Sequence, residues 1–363
     1  MERFYWAALS AFPGLGLRNL PALVDYFGSA RAAYTASRED YLATGLPLEP
    51  KHLGAFLRKR RPEYPTELAE FCAREQVQVL CYADPEYPEQ LKHTAMPPAA
   101  LYIQGNLPQL QQGLAMVGSR DASAYGLKVA RAFAADLTAA GLVIISGGAK
   151  GIDTASHEGA LTGGGPTVAV LGCGIDITYP ARNASLFARI RENGAVLSEF
   201  PPGTPPRPGN FPQRNRIVSG LARGILVVEA AKQSGAMITV GFALEEGRDV
   251  FCVPGSIFLP NCAGCHSLIK AGARLVDRPE DILEELLPQQ PLVRTGPSLF
   301  SEPDLELTPT ARQLLNLLSA QPQALEDILE KTGLDLATVS RDLLDLQVKG
   351  VVAMLAGQRF YRI

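Results

Sequence analysis

The fold class predicted by this 363-residue sequence is α/β: an extended Rossmann-like, doubly wound, mostly parallel sheet, with a small N-terminal helical domain and a C-terminal winged helix. Two observations carry the prediction. From about residue 100 to 287, short apolar runs alternate with segments of helical length, the pattern of parallel strands covered on both faces by helices. Three of those runs end in glycine-rich loops: Gly118-Ser119-Arg120, Gly147-Gly148-Ala149-Lys150-Gly151 and Gly172-Cys173-Gly174. A parallel sheet gathers such loops at one edge, where bare backbone N–H groups and helix dipoles favour phosphate oxygens. The sequence therefore points to a polyanionic ligand.

The elements follow in order. Residues 11–43 read as short helices, with Leu20, Leu23, Val24 and Phe27 at helical spacing before Gly28-Ser29. The Gly14-Leu15-Gly16 turn resembles a helix-hairpin-helix, which touches a phosphate through backbone N–H groups; it equally suits a compact interaction module. Arg58-Lys59-Arg60-Arg61 is the one dense cationic run, read as a solvated helix end. The helical domain is placed at 1–70 and the α/β domain at 71–287. Predicted strands are Leu114–Val117, Val143–Ser146, Val168–Leu171, Ala195–Ser198, Ile225–Val228, Val250–Val253 and Arg274–Val276. Helices are predicted over Tyr125–Ala140, Asp153–Thr162 and Asn183–Asn193. Four prolines and terminal acids make 288–306 an extended linker. In 307–363, three helices (Thr308–Leu318, Ala324–Lys331, Leu336–Lys349) and a hairpin (Val351–Leu355, Arg359–Ile363) suggest the winged helix. Its third helix sets Arg341 and Lys349 against Asp335, Asp342 and Asp345, which favours protein contact over DNA reading.

Charge narrows the ligand site. The net charge is −3 overall, and by segment −1 (1–110), 0 (111–287), −2 (288–306) and 0 (307–363). Any polyanion site is thus a local cluster assembled by folding. The N-terminus lacks a signal-peptide pattern, and no stretch reaches ~18 uninterrupted apolar residues. A soluble, cytoplasmic protein with no membrane partner is expected. Six scattered cysteines argue against a disulfide framework. Cys262-Ala263-Gly264-Cys265-His266 matches a haem-attachment signature. With no export signal and no evident second axial ligand, the cysteines are read as ordinary loop residues, and no cofactor or metal is assigned.

The loops supply the candidate site residues. Arg120, after Gly118 and Ser119, would project over the rim, and Lys150, in the loop of Gly147, would offer a point charge to an anion. The second loop has neither the order of a P-loop nor that of a dinucleotide fingerprint, so ATP hydrolysis and nicotinamide chemistry are unsupported. Asp153 is read as a helix cap and His157 as its hydrogen-bond partner, with no catalytic residue assigned. Arg182 would lie at the same edge. The proline-rich connection Pro201–Gln213 would hold Arg207, Phe211 and Arg214 over it, giving cations beside a stacking ring, the set that grips single-stranded nucleic acid. A helix would begin at Asn215, with Arg216 either a ligand or an anchor for Glu229.

Taken in order, VGSR (117–120), SGGAKGID (146–153), AVLGCGIDITYP (169–180), SEFPPG (198–203), FPQRNRIVSGL (211–221), VVEA with SGAMIT (through 239) and RDVFCVPG (248–255) closely resemble the DprA/Smf family of DNA-processing proteins. The resemblance implies a single-stranded DNA-binding recombination mediator, not an enzyme, that protects incoming DNA and loads the RecA recombinase during natural transformation. It also implies a homodimer, and flanking domains of the kinds read above. Carried over by position, the DNA pocket falls on Ser119, Arg120, Lys150, Phe211 and Arg214, with Arg182 and Arg207 less securely aligned. SGGAKGID departs from the commoner SGLAKGID, and CAGCHSLIKAGA stands where serine and asparagine are usual. The alternative is a nucleotide-processing enzyme of the phosphoribohydrolase type, whose PGGxGTxxE motif is missing here. The winged helix is a further candidate contact for double-stranded DNA or for another protein.

Overall fold

The computed structural model describes residues 1–12, 15, 19–287, 307–319, 321–355 and 357–362. The Gly14-Leu15-Gly16 turn, apart from Leu15, and the 288–306 linker lie outside the described residues. The chain divides into two compact units, Met1–Phe300 and Ser301–Ile363.

The first unit opens with six short helices, α1 (Glu2–Ser10), α2 (Leu20–Phe27), α3 (Ala30–Thr35), α4 (Arg38–Ala43), α5 (Pro50–Lys59) and α6 (Tyr64–Arg74). Local chemistry sets their ends. Gly28, at φ +74°, stops α2 in the left-handed conformation, Ser29 caps α3, and Ser37 with Asp40 forms a capping box on α4. The basic run is not simply solvated. Arg60 Nη1 donates to the carbonyls of Tyr34 (2.6 Å) and Ala36 (2.7 Å), and Arg61 pairs with Glu67. Those helices share a core with the sheet edge, Trp6 and Leu9 joining Tyr102 and Val196 in one cluster.

The sheet has nine strands: β1 (Gln78–Cys81), β2 (Ala100–Gly105), β3 (Gly113–Gly118), β4 (Val143–Ser146), β5 (Thr167–Val170), β6 (Ala195–Ser198), β7 (Gly224–Glu229), β8 (Asp249–Cys252) and β9 (Arg274–Leu275). Their order is β1-β2-β6-β5-β4-β3-β7-β8-β9. Pairing from β6 to β9 is parallel; β2 is antiparallel to both β1 and β6. The chain winds outward from β3 to β6, then returns beside β3 to build β7–β9. A switch point therefore lies between β3 and β7, where doubly wound sheets open a crevice at the strands' carboxyl ends. A bulge between Val117 and Gly118 re-aims the first glycine loop at that place.

Among the described residues the unit has eight more α-helices: α7 (Glu89–Lys92), α8 (Ala124–Ala139), α9 (Ile152–Thr162), α10 (Ala184–Asn193), α11 (Asn210–Gly220), α12 (Gly235–Glu245), α13 (Ala263–Lys270) and α14 (Glu280–Leu286). Strand residues alternate between two cores. Leu114, Met116 and Ile144 pack under α8, α9 and α14, whereas Ala115, Val117 and Ile145 pack under α11, α12 and α13. The doubly wound, mostly parallel sheet is thus as predicted. Most boundaries shift by about one residue, and the largest difference is at α11, which starts at Asn210, not Asn215. Pro212 falls in its first turn, where no backbone N–H is required, so it begins the helix instead of barring it.

The second unit is a winged helix built from α15 (Pro309–Leu317), β10 (Gln323–Ala324), α16 (Leu325–Thr332), α17 (Leu336–Val348), β11 (Val352–Leu355) and β12 (Arg359–Arg362), with strand order β10-β12-β11. It has its own core around Leu314, Ile328, Leu343 and Phe360. Buried Asp342 on α17 accepts from the hydroxyls of Thr308 and Thr310 and ties the two helices together. On α17, Arg341 pairs with Asp342 and Lys349 with Asp345, while Leu336, Leu344 and Val348 are exposed.

Candidate nucleic-acid interface

The first glycine loop is held by its backbone. Ser119 N–H donates to Glu229 O (2.6 Å), and Ser119 O accepts from Ile152 N–H (3.1 Å). Ser119 Oγ accepts from Asp121 N–H (3.2 Å). Glu229 in turn accepts from Ser123 N–H and Oγ–H at the start of α8. Arg120 is left projecting and exposed, with its guanidinium carbon 5.6 Å from the Phe211 ring centroid.

The second loop lies against the first. Gly151 has φ +84°, and a Cβ there would strike the Ser119 carbonyl, so only glycine lets the two backbones meet. Lys150 reaches Asp121 as a solvent-exposed ion pair that holds the Asp121 carboxyl below its usual range, with lesser help from Arg120 and Arg182. Buried Asn183 joins a third segment by donating from Nδ2 to Gly148 O (3.0 Å) and Thr154 Oγ1 (2.9 Å). That contact places exposed Arg182 beside the cluster.

The ring of Phe211 stands on the first turn of α11, part-exposed, above Gly172 of the third loop. A Cβ on Gly172 would come 2.7 Å from Phe211 Cδ1. Tyr179, 47% exposed, sets its ring 5.5 Å from that of Phe211 at 39°. Sequence reasoning assigned Tyr179 no role, although it lies three residues ahead of Arg182; an aromatic residue closing the third glycine loop was the available signal. Arg120 and Tyr179 thus both lie against the Phe211 ring, flanked by Lys150 and Arg182. Arg207 is exposed ahead of α11; its carbonyl accepts from Asn210 N–H (3.0 Å), and its guanidinium makes no hydrogen bond or ion pair among the described residues.

Two guanidinium groups expected at the groove turn inward. Arg214 Nη1 donates to Gly147 O (2.6 Å) and to Val170 O, and Nε donates to Asn215 Oδ1 (3.1 Å). A Cβ on Gly147 would lie 2.5 Å from Arg214 Nη2. The space above Gly147, expected to admit phosphate, is filled by Arg214. Burial pulls this guanidinium down to about 10, against the opposing field of Asp153. The cation therefore persists at neutral pH. Burial likewise raises the Asp153 carboxyl, with Arg214 and the Ala149 N–H countering. Arg216, 3% exposed, pairs with Glu199 (2.6 Å), not with Glu229 as one reading expected. It anchors α11 to the end of β6.

Three other residues behave as structure. His157 is fully buried and donates from Nδ1 to Thr167 Oγ1 (2.7 Å), whose hydroxyl donates to Ile144 O; Asp153 is not its partner. Burial drives its imidazole down to about 3. Cys262 and Cys265 are buried, not loop-exposed, and His266 Nε2 is 3.0 Å from Gly255 O. Among the described residues, no group of three His, Cys, Asp or Glu could hold a metal ion, and no helix is long and apolar enough to cross a membrane.

Comparison with known proteins agrees with this geometry. The family model described as DNA recombination-mediator protein A matches residues 78–287, and that of the DprA winged helix domain matches 300–358. Protein Smf of Synechocystis sp. is 33% identical over 394 residues, covering 99% of each chain. The X-ray structure of DNA processing protein A from Streptococcus pneumoniae is similar with a TM-score of 0.69 at 34% identity, over 78% of this chain and 98% of that one. A structure of DNA processing protein A from Helicobacter pylori, concerned with that protein's single-stranded DNA binding mode, gives a TM-score of 0.53 at 28% identity, over 59% and 96%.

Proposed function

This chain belongs to the DNA recombination-mediator protein A (DprA/Smf) family, and we propose that it binds single-stranded DNA along the carboxyl edge of its sheet. In this reading it protects the incoming strand in the cytoplasm and passes it to RecA during natural transformation, acting as a homodimer and not as an enzyme. The observation that carries the reading is the convergence of Arg120, Phe211 and Tyr179 within ring-stacking distance, beside Lys150 and Arg182.

Each component has a task. Phe211 and Tyr179 offer apolar faces to bases, and every base has a face to offer, so binding is sequence-tolerant. Arg120, Lys150, Arg182 and Arg207 neutralise phosphates. Arg214 and Arg216 act beneath the groove, fixing the loops from which the contacts project. The single-stranded DNA binding mode described for the Helicobacter pylori protein supports the same ligand here. A dimer would join two such grooves and raise the effective concentration of the second along a continuous strand.

The winged helix is assigned to protein contact. Its third helix pairs Arg341 and Lys349 with its own acids and exposes Leu344 and Val348. A filter-binding series against salt tests the central assignment. Preference for single strands over duplex is expected, with affinity falling as the logarithm of salt by about 0.7 per phosphate neutralised. Equal affinity for both would remove it. RecA loading is tested separately, by whether the protein speeds filament formation on strands already coated with single-strand-binding protein. Release of free base from nucleoside monophosphates would instead favour the phosphoribohydrolase alternative.

A further inference from the structure

The most exposed large apolar side chain of the described residues, Phe258, sits with Ile257 on one loop tip. Phe258 is 88% exposed and Ile257 80% exposed, in the connection from β8 to α13. The segment from Pro254 to Cys262 carries no charged residue.

This loop is fastened at several points. Tyr125 Oη donates to Pro254 O (3.1 Å), and His266 Nε2–H donates to Gly255 O (3.0 Å). A turn closes under the tip, with Leu259 N–H donating to Ser256 O (3.2 Å) and Phe258 N–H to Ser256 Oγ (3.3 Å). The next contact gives the direction. Asn261 Nδ2 donates to Asp121 O (2.9 Å), carrying the loop from the carboxyl end of β8 past β7 to the loop that follows β3. Asp121 is the ion-pair partner of Lys150 and directly follows Arg120. Phe258 is three residues from Asn261, so its backbone lies within about 11 Å of that anchor, at ~3.3–3.6 Å per residue.

We infer that Phe258, backed by Ile257, is a second base-stacking platform, holding the strand a few nucleotides beyond the Phe211–Tyr179 pair after it passes Arg120 and Lys150. The proposal rests on the single-stranded DNA reading and extends it. A strand leaving the first platform meets the cations at Arg120 and Lys150, and then an uncharged tip that does not repel phosphates. The fastening matters because a tip already ordered loses little conformational freedom on binding. Bare aromatic and aliphatic surface fixed beside a cationic rim suits a base better than it suits water.

The test uses the full chain, Phe258→Ser and Phe258→Trp, and two oligothymidines on the order of 6 and 20 nucleotides, bracketing usual single-strand site sizes. Trp6, the protein's sole natural tryptophan, is buried, so a tryptophan at 258 reports on its own surroundings. Phe258→Ser should weaken the long oligomer by about 5- to 150-fold, the effect of losing one stacked base, and leave the short one unchanged. The Phe258→Trp emission should be quenched by the long oligomer only. Unchanged affinity of Phe258→Ser for the long oligomer, with wild type binding normally, would overturn the platform and leave the first groove standing. A change of oligomeric mass in Phe258→Ser would also overturn it, by making the tip a protein contact. Failure of the wild type to bind either oligomer would remove the underlying reading and the platform with it.

Discussion

Arg214 separates a brace from a ligand. Its guanidinium donates to Gly147 O and Val170 O, which end two neighbouring strands, and lies beside Asp153. Arg214→Ala strands both carbonyls and leaves the Asp153 carboxyl without its main counter-charge. Hydrogen bonds to a charged group are worth about 1.5–3 kcal/mol each, so the two carbonyl contacts set the expected loss at about 3–6 kcal/mol, a large part of a typical stability of about 5–15 kcal/mol. For a unit of this size that corresponds to a fall in Tm of about 6–24 °C. Arg214→Lys keeps the charge but not the planar fork, and should fall between. Thermal denaturation followed by circular dichroism gives the stability, and a salt series on oligothymidine gives the number of phosphates engaged. Arg214→Lys should lower Tm and leave the salt slope unchanged. A Tm unchanged in both variants, with the slope reduced by about 0.7 in Arg214→Ala, would make Arg214 a phosphate ligand and refute the brace.

Four further outcomes are expected. Asp121→Asn frees Lys150 from a solvent-exposed ion pair, so oligothymidine should bind modestly tighter by fluorescence anisotropy; weaker binding would count against Lys150 as a contact. Gly172→Ala pushes a methyl against Phe211 and should weaken binding by an amount approaching one stacked base, about 1–3 kcal/mol, with the salt slope retained. His157 stays neutral in the fold down to about pH 3, whereas the unfolded chain protonates it near its ordinary pKa of about 6.5. Below that value the unfolded state binds the extra proton, so stability falls as pH falls, by about 1.4 kcal/mol per pH unit from this group. His157→Leu should flatten that part of the pH dependence in urea titrations between pH 7 and 4, and an unchanged slope would contradict it. Deleting 307–363 should leave duplex affinity unchanged in a gel-shift assay, because the cations of α17 are already paired.

Much of the fold was legible because the interior strands are nearly continuous apolar runs. Val143–Ser146 and Ala195–Ser198 fall where the sequence placed them. The antiparallel edge was not legible. β1 is only Gln78–Cys81, and no glycine turn links β1 or β2 to a helix in the repeating pattern that marked the others. The start of α11 was misplaced because Pro212 looks like a breaker until its first-turn position is known. In the candidate site, residue types indicated the ligand class but not orientation. Arg120 and Arg214 read alike as cations near glycine loops, yet one is exposed and the other fills the space above Gly147. Sequence spacing cannot distinguish them, since the difference lies in which carbonyls the folded loops turn toward α11. Tyr179 was passed over for the same reason: its proximity to Phe211 comes from a contact between segments more than thirty residues apart.

The most direct measurement is a crystal structure with a short oligothymidine soaked in. Density should run along the carboxyl edge of the sheet, with a base on Phe211 or Tyr179 and phosphates near Arg120 and Lys150. Density confined to the winged-helix unit or to the N-terminal helices, with that edge empty, would contradict a shared groove for single-stranded DNA.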